Sequence, residues 1–181
     1  MRRLLAFTLG GVLLAGIVHI VVVFLVPYFA RNDAWAVVRG FAADGKFQLL
    51  PASNLPGTAL PGLDPEMIEA VCPFSLGEKP LRVRAALPDD FWSIAVFDRR
   101  GRNVYSLNDR AAEGSDLDLI VLTPVQMAKL RTDPPASLDT AIVVVLDLGE
   151  GFVLLRVFVP GPAHVPAIVS ALKAADCAAE L

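Results

Sequence analysis

Two histidines and two cysteines in 181 residues leave little material for metal or nucleophile chemistry. The chain has no CxxC, no GxSxG, no glycine-rich phosphate loop and no internal repeat, which removes the usual zinc sites, hydrolase elbows and nucleotide cradles. His164, the only histidine outside the N-terminal apolar run, sits among prolines, so a histidine-dependent hydrolase would have to route every proton through it. Asp116 and Asp118 are two acids without a third oxygen ligand close by in sequence. The sequence predicts no catalytic residue, no cofactor and no metal site.

Charge is missing altogether from residues 4–29. A helix of that length spans roughly 39 Å, against about 30 Å of bilayer hydrocarbon, so the run predicts a transmembrane helix with some tilt. Arg2 and Arg3 precede it and keep the N-terminus cytoplasmic by the positive-inside rule. Tyr28, Phe29 and Trp35 fall where the helix leaves the bilayer. A cleaved signal peptide is the rival, but its apolar region is shorter and ends at a small-residue site; Ala34-Trp35-Ala36 is a poor one. The expected organisation is a cytoplasmic stub at 1–3, a transmembrane helix at 4–29, a linker with short elements at 30–63 and one exported domain at 64–181. The expected surroundings are therefore a lipid bilayer on one side and an oxidising compartment on the other.

Inside the span, Thr8, Gly11, Ala15 and His19 share one small, faintly polar helix face, suited to close approach by another helix. A neutral His19 bonded within a bundle is preferred to proton or metal chemistry, because no carboxylate accompanies it. Beyond the span lie fourteen basic and all nineteen acidic side chains, a formal charge of −5. That sign argues against nucleic acid as a partner. Cys72 and Cys177 both fall in the exported part, where one disulfide between them is the simplest reading and two buried thiols, or a reactive one, the alternative.

The element pattern is mixed. Residues 34–41 read as a brief continuation of the apolar helix, 46–50 as a short strand, and 50–63, with three prolines, as an extended loop. Asp64-Pro65-Glu66 carries the signals of a helix start, with Met67, Ile68 and Val71 on its apolar side and Cys72 at its end. Residues 81–86 alternate as a half-buried strand with Arg82 and Arg84 on a solvated outer face. Residues 91–97 and 103–107 read as a hairpin turning at Asp98-Arg99-Arg100-Gly101, followed by a strand at 117–122 and a short helix at 124–130 started by Thr123. Residues 141–148 and 152–159, joined by Gly149-Glu150-Gly151, carry the strongest hairpin signal, and a last helix covers 165–175. The fold class expected is α+β: an N-terminal transmembrane helix, then one mainly antiparallel, sandwich-like β domain with flanking helices.

Arg156 is the odd residue of its strand, where an unpaired buried charge is costly. It either meets a buried acid or serves a ligand, and in the ligand reading Trp92, Asn108, Asp109 and Arg110 line a pocket with it.

The order of DPEMIEAVCPFSL, FWSIAVFDRRGRNVYSLNDR, a late arginine-bearing strand and a terminal helix followed by cysteine resembles a bacterial family, domain of unknown function twelve fifty-four, from about Leu63 onward. The resemblance implies a short envelope protein anchored in the bacterial inner membrane, with a periplasmic domain and a second small membrane protein as companion; longer relatives carry both domains in one chain. It supplies no catalytic residues. The reading that results is a non-enzymatic partner-binding module, docking a companion or a second copy through its helix. A periplasmic ligand-binding or enzymatic domain with a pocket at Arg156 is the alternative.

Overall fold

Along Trp92-Ser93-Ile94-Ala95-Val96-Phe97 every second side chain is large and apolar, and in a strand those residues share one face. The same period recurs in most of the strands of the computed structural model, which describes residues 1–30, 33–51, 63–112, 116–132, 138 and 141–180, with backbone alone at 27–30 and 33. The strands in chain order are β1 (Gln48–Leu49), β2 (Met67–Ser75), β3 (Leu81–Ala86), β4 (Trp92–Asp98), β5 (Asn103–Asn108), β6 (Asp116–Leu122), β7 (Ile142–Val145), β8 (Glu150–Phe158) and β9 (Asp176–Ala178). The helices are α1 (Arg2–Ala30), α2 (Asp33–Phe41), α3 (Pro124–Leu130) and α4 (Val165–Ala174).

The strands form two sheets. Sheet A runs β1-β2-β8-β4-β5, antiparallel throughout, and sheet B runs β7-β6-β3-β9, with β6 and β7 parallel. Between them Phe74, Leu81, Trp92, Ile94, Leu119 and Leu155 make one core, joined by Ile168 and Leu172 of α4. The outer faces are partly covered: α2 lays Trp35 and Val38 against Val71 and Phe152 on sheet A, and Met127 and Leu130 of α3 pack with Ile120 and Leu122 on sheet B. Thr123 caps α3 by a reciprocal pair, its hydroxyl accepting from the Gln126 N–H while the Gln126 side chain accepts from the Thr123 N–H. A disulfide joins Cys72 of β2 to Cys177 of β9, and so sheet A to sheet B. The α+β sandwich expected from the sequence is the fold observed.

Three local expectations are corrected. The helix expected from Asp64 is instead a turn leading into β2. The Asp64 carboxylate accepts from the Glu66 N–H at 2.9 Å and its carbonyl from the Met67 N–H at 3.2 Å, which closes one turn only. From there Ala70, Cys72 and Phe74 alternate into the core. Pro73 fits β2 because its carbonyl accepts from Gly45 on the side facing β1, and β1 pairs only with Ala70 and Val71; no ladder bond needs the missing N–H.

The expected hairpin of 141–148 with 152–159 does not form either. β7 joins β6 in sheet B, whereas β8 enters the centre of sheet A between β2 and β4. Both runs are rich in β-branched and aromatic residues, as strands of either sheet can be, and α3 lies on the crossover that a parallel β6–β7 pair requires.

Arg82 is not on a solvated face: its side chain is 8% exposed and grips Asp118 through two bonds of 2.8 and 2.6 Å. Arg84 is exposed and meets Glu180 at 3.0 Å. Trp35 at the start of α2 stacks on Phe152 at 6.5 Å, with the Arg39 guanidinium 5.5 Å from its ring.

The expected loop at 50–63 lies mostly outside the described residues. α1 is long and apolar enough from Arg2 to Val26 to cross a membrane. The Thr8 hydroxyl on it donates to the Leu4 and Leu5 carbonyls, and a Cβ at Gly11 would meet nothing within 4 Å.

Candidate functional site

The outer face of sheet A is built from odd positions of β2 and β4, even positions of β8, and Ser106 and Asn108 of β5, joined by Asn103 where the register shifts between Val96 and Phe97. The register places Glu69 opposite Arg156, Arg156 opposite Ser93, and Ser93 opposite Asn108. One polar row thus crosses four strands, with each side chain next to its neighbour at cross-strand spacing. Glu69 is 6% exposed. Within the row, Glu69 Oε2, Arg156 Nε and Ser93 Oγ are buried and have no hydrogen-bond partner among the described residues. Burial drives the Glu69 carboxyl above the ordinary glutamate range, against the pull of the Arg156 charge, and Asp64 adds to the rise.

The row borders a cavity of about 510 Å³ over β4 and β5. Arg156, Ser93 and Asn108 line it together with Asn103, Ser106 and Phe91. A guanidinium, two hydroxyls and two amides give it many donors and some acceptors, and neither histidine lines it. On the other side of the row, under α2, lies a groove of about 330 Å³. Phe97 and Phe152, stacked at 4.9 Å, stand on the boundary between the two spaces.

Of the residues that the sequence placed around Arg156, Asn108 lines this cavity. Trp92 does not: it is 2% exposed and points between the sheets, because its even position on β4 belongs to the core face. Asp109 and Arg110 follow β5 and are not among the lining residues; Arg110 is exposed, while Asp109 Oδ1 is buried without a hydrogen-bond partner among the described residues. Glu69, Ser93, Asn103 and Ser106 escaped the sequence reading. Ser93 and Ala95, small residues alternating with large ones, were the available signal. His164 approaches Asp90 at 3.4 Å on the surface, and the described residues hold no cluster of three metal-ligating side chains.

The architecture is that of a disulfide-linked two-sheet sandwich preceded by a long apolar helix, with a polar row exposed to a cavity on one sheet. A family described as protein of unknown function (DUF1254) matches residues 46–178, and the chain belongs to it. No curated protein matches the chain. Among solved structures, the VPA0106 protein of Vibrio parahaemolyticus is similar in fold, with a TM-score of 0.60 at 12% identity. That match covers 84% of this chain and 36% of the Vibrio chain, so this chain spans about a third of the longer protein. An uncharacterised protein from Burkholderia cenocepacia matches 56% of this chain and 29% of its own at 18% identity, with a TM-score of 0.42.

Proposed function

We propose that the chain is a single-pass protein of the bacterial inner membrane, N-terminus cytoplasmic, that presents its sandwich in the periplasm as a binding module. Support comes from the apolar α1 behind Arg2 and Arg3 and from a disulfide of the kind that persists in oxidising compartments. The binding surface is the outer face of sheet A, and its occupant is a small ligand held by Arg156, Ser93 and Asn108. The observation that carries this is a row beside an open cavity in which three buried polar atoms have no hydrogen-bond partner among the described residues, since buried polar groups in folded proteins are otherwise nearly always bonded. Titrating a polar fragment library into the full chain in nanodiscs, and following the Arg156 Nε–H resonance, tests it. Saturable shifts that map to Arg156, Ser93 and Asn108 and vanish in Arg156→Met are expected. Shifts scattered over the surface, or unchanged by that substitution, overturn the reading.

A companion membrane protein is the second reading, favoured by the small-residue face of α1, where a Cβ at Gly11 would meet nothing within 4 Å. Its docking residues are Thr8, Gly11, Ala15 and His19 on α1. Photo-cross-linking from Gly11 and Ala15 in native membranes captures one reproducible protein if this holds, and only lipid if α1 is a plain tether.

A further inference from the structure

The groove under α2 is lined by Val37, Val38, Phe41, Val71, Phe152 and Leu154 among others, and among the described residues Glu69 is the one polar side chain in that lining. Its volume lies at the lower end of the range of small-molecule pockets. Packing explains the apolar walls but not a carboxyl that is more than nine-tenths buried, with an unpartnered oxygen, at the edge of such a space. Immediately across the register from Glu69, Arg156 and Ser93 offer their own unpartnered atoms, and from there the wall continues into the polar cavity. The two spaces therefore share a border made of hydrogen-bonding groups, apolar on one side and polar on the other.

We propose that they form one site for a single-chain amphiphile, its hydrocarbon lying between α2 and sheet A and its uncharged, hydroxyl-bearing head on the row of Glu69, Arg156 and Ser93. This rests on the reading of the outer face of sheet A as a binding surface and names its ligand class. A hydroxyl both donates and accepts, so it satisfies the carboxyl oxygen, the guanidinium N–H and the serine hydroxyl together. A bare anion would meet Arg156 favourably but would lie beside Glu69 and be repelled whenever that acid is ionised. Burial favours the protonated form of Glu69, which suits a neutral head. Supply is also local. Only residues 31 and 32 separate the end of α1 from the start of α2, a reach of about 10 Å for extended chain. Wherever α1 crosses a bilayer, the groove lies close to the membrane surface, where single-chain amphiphiles partition.

The test uses the full chain in phosphatidylcholine nanodiscs with a monoacylglycerol carrying a diazirine on its acyl chain, and mass spectrometry of the adducts. Saturable labelling of peptides from α2, β2 and β8 is expected, competed by unlabelled monolauroylglycerol and at least tenfold less by laurate or by glycerol. Leu154→Trp, which fills the groove from the sheet, and Val38→Trp, which fills it from the helix, each lower that labelling at least tenfold. Labelling confined to α1, or insensitive to both substitutions, overturns the proposal, as does a covalent dimer or protein adduct formed from a photoreactive side chain at Val37 in place of lipid adducts. Fragment binding at Arg156 with no groove labelling defeats this inference and leaves the binding reading standing; loss of both defeats both.

Discussion

Glu69 and Arg156 face each other directly across β2 and β8, yet no ion pair within 4 Å joins them, and Oε2 of one and Nε of the other are both buried without hydrogen-bond partners among the described residues. An acid and a base left open side by side differ from the closed pair of Arg82 and Asp118 on the opposite sheet. The open pair is what the proposed binding surface requires, whereas the closed one meets only the demands of packing.

Titration of Glu69 follows from its burial. Its folded-state value is raised, so the folded chain holds a proton that the unfolded chain releases, and stability falls as pH rises from the ordinary glutamate value through the raised one. Glu69→Gln removes that fall. Urea unfolding at pH 4 and pH 8 is expected to show the variant gaining stability on wild type between the two pH values, and an unchanged difference would refute the linkage.

Asp118 gives the opposite slope. Its bond to Arg82 holds its carboxyl below the ordinary aspartate range, so the stability it contributes is complete above that range and is lost as pH falls through the lowered value. Asp118→Asn removes the charge-assisted pair of bonds to Arg82 and is expected to cost about 1.5–3 kcal/mol at pH 7. The difference from wild type shrinks toward pH 2, a trend read from acid-unfolding curves.

Gly151 sits where β8 passes β4, and a Cβ there would collide with the Phe97 carbonyl oxygen and crowd the Phe74 ring. Backbone cannot yield as a flexible side chain does. Gly151→Ala is expected to lower stability by about 1–3 kcal/mol, while Gly149→Ala, whose Cβ meets nothing within 4 Å, serves as the nearby control in the same melting experiment.

The Cys72–Cys177 bond closes a loop of 105 residues between the two sheets. Chain entropy assigns such a loop roughly 4.7 kcal/mol. The double substitution Cys72→Ala with Cys177→Ala, or reduction of the native protein, is expected to lower the denaturant midpoint accordingly; an unchanged midpoint would show that the linkage contributes no net stability.

How much of this is legible beforehand depends on whether a signal is local. The β4–β5 hairpin can be read because alternation, turn and return lie within a few residues: the Asp98 carboxylate takes the N–H groups of Arg100 and Arg102 and Gly101 adopts a positive φ of 72°. The capped α3 is legible for the same reason. β2 is not, since Asp64-Pro65-Glu66 gives the same local turn whether a helix or a strand follows, and what decides is the vacancy between β1 and β8. The partner of β8 is likewise decided by strands that come some fifty or more residues earlier. Arg156 announces the site as a charge in an apolar run. Glu69 is hidden inside a segment whose parity cannot be known until its strand is recognised, and Trp92 is misplaced because its recognised strand is apolar at both parities, which leaves the core face undecided.

The position of β8 also fixes the order in which the protein can be built. Sheet A has its central strand at Glu150–Phe158, and until those residues leave the ribosome β2 and β4 have no edge in common. Sheet B waits longer still, for β9 and for the cysteine that follows α4. Vectorial synthesis therefore delivers strands β2 to β5 with unpaired edges until β8 has emerged. A chaperone or translocation machine that holds such a chain extended would work with its topology, not against it.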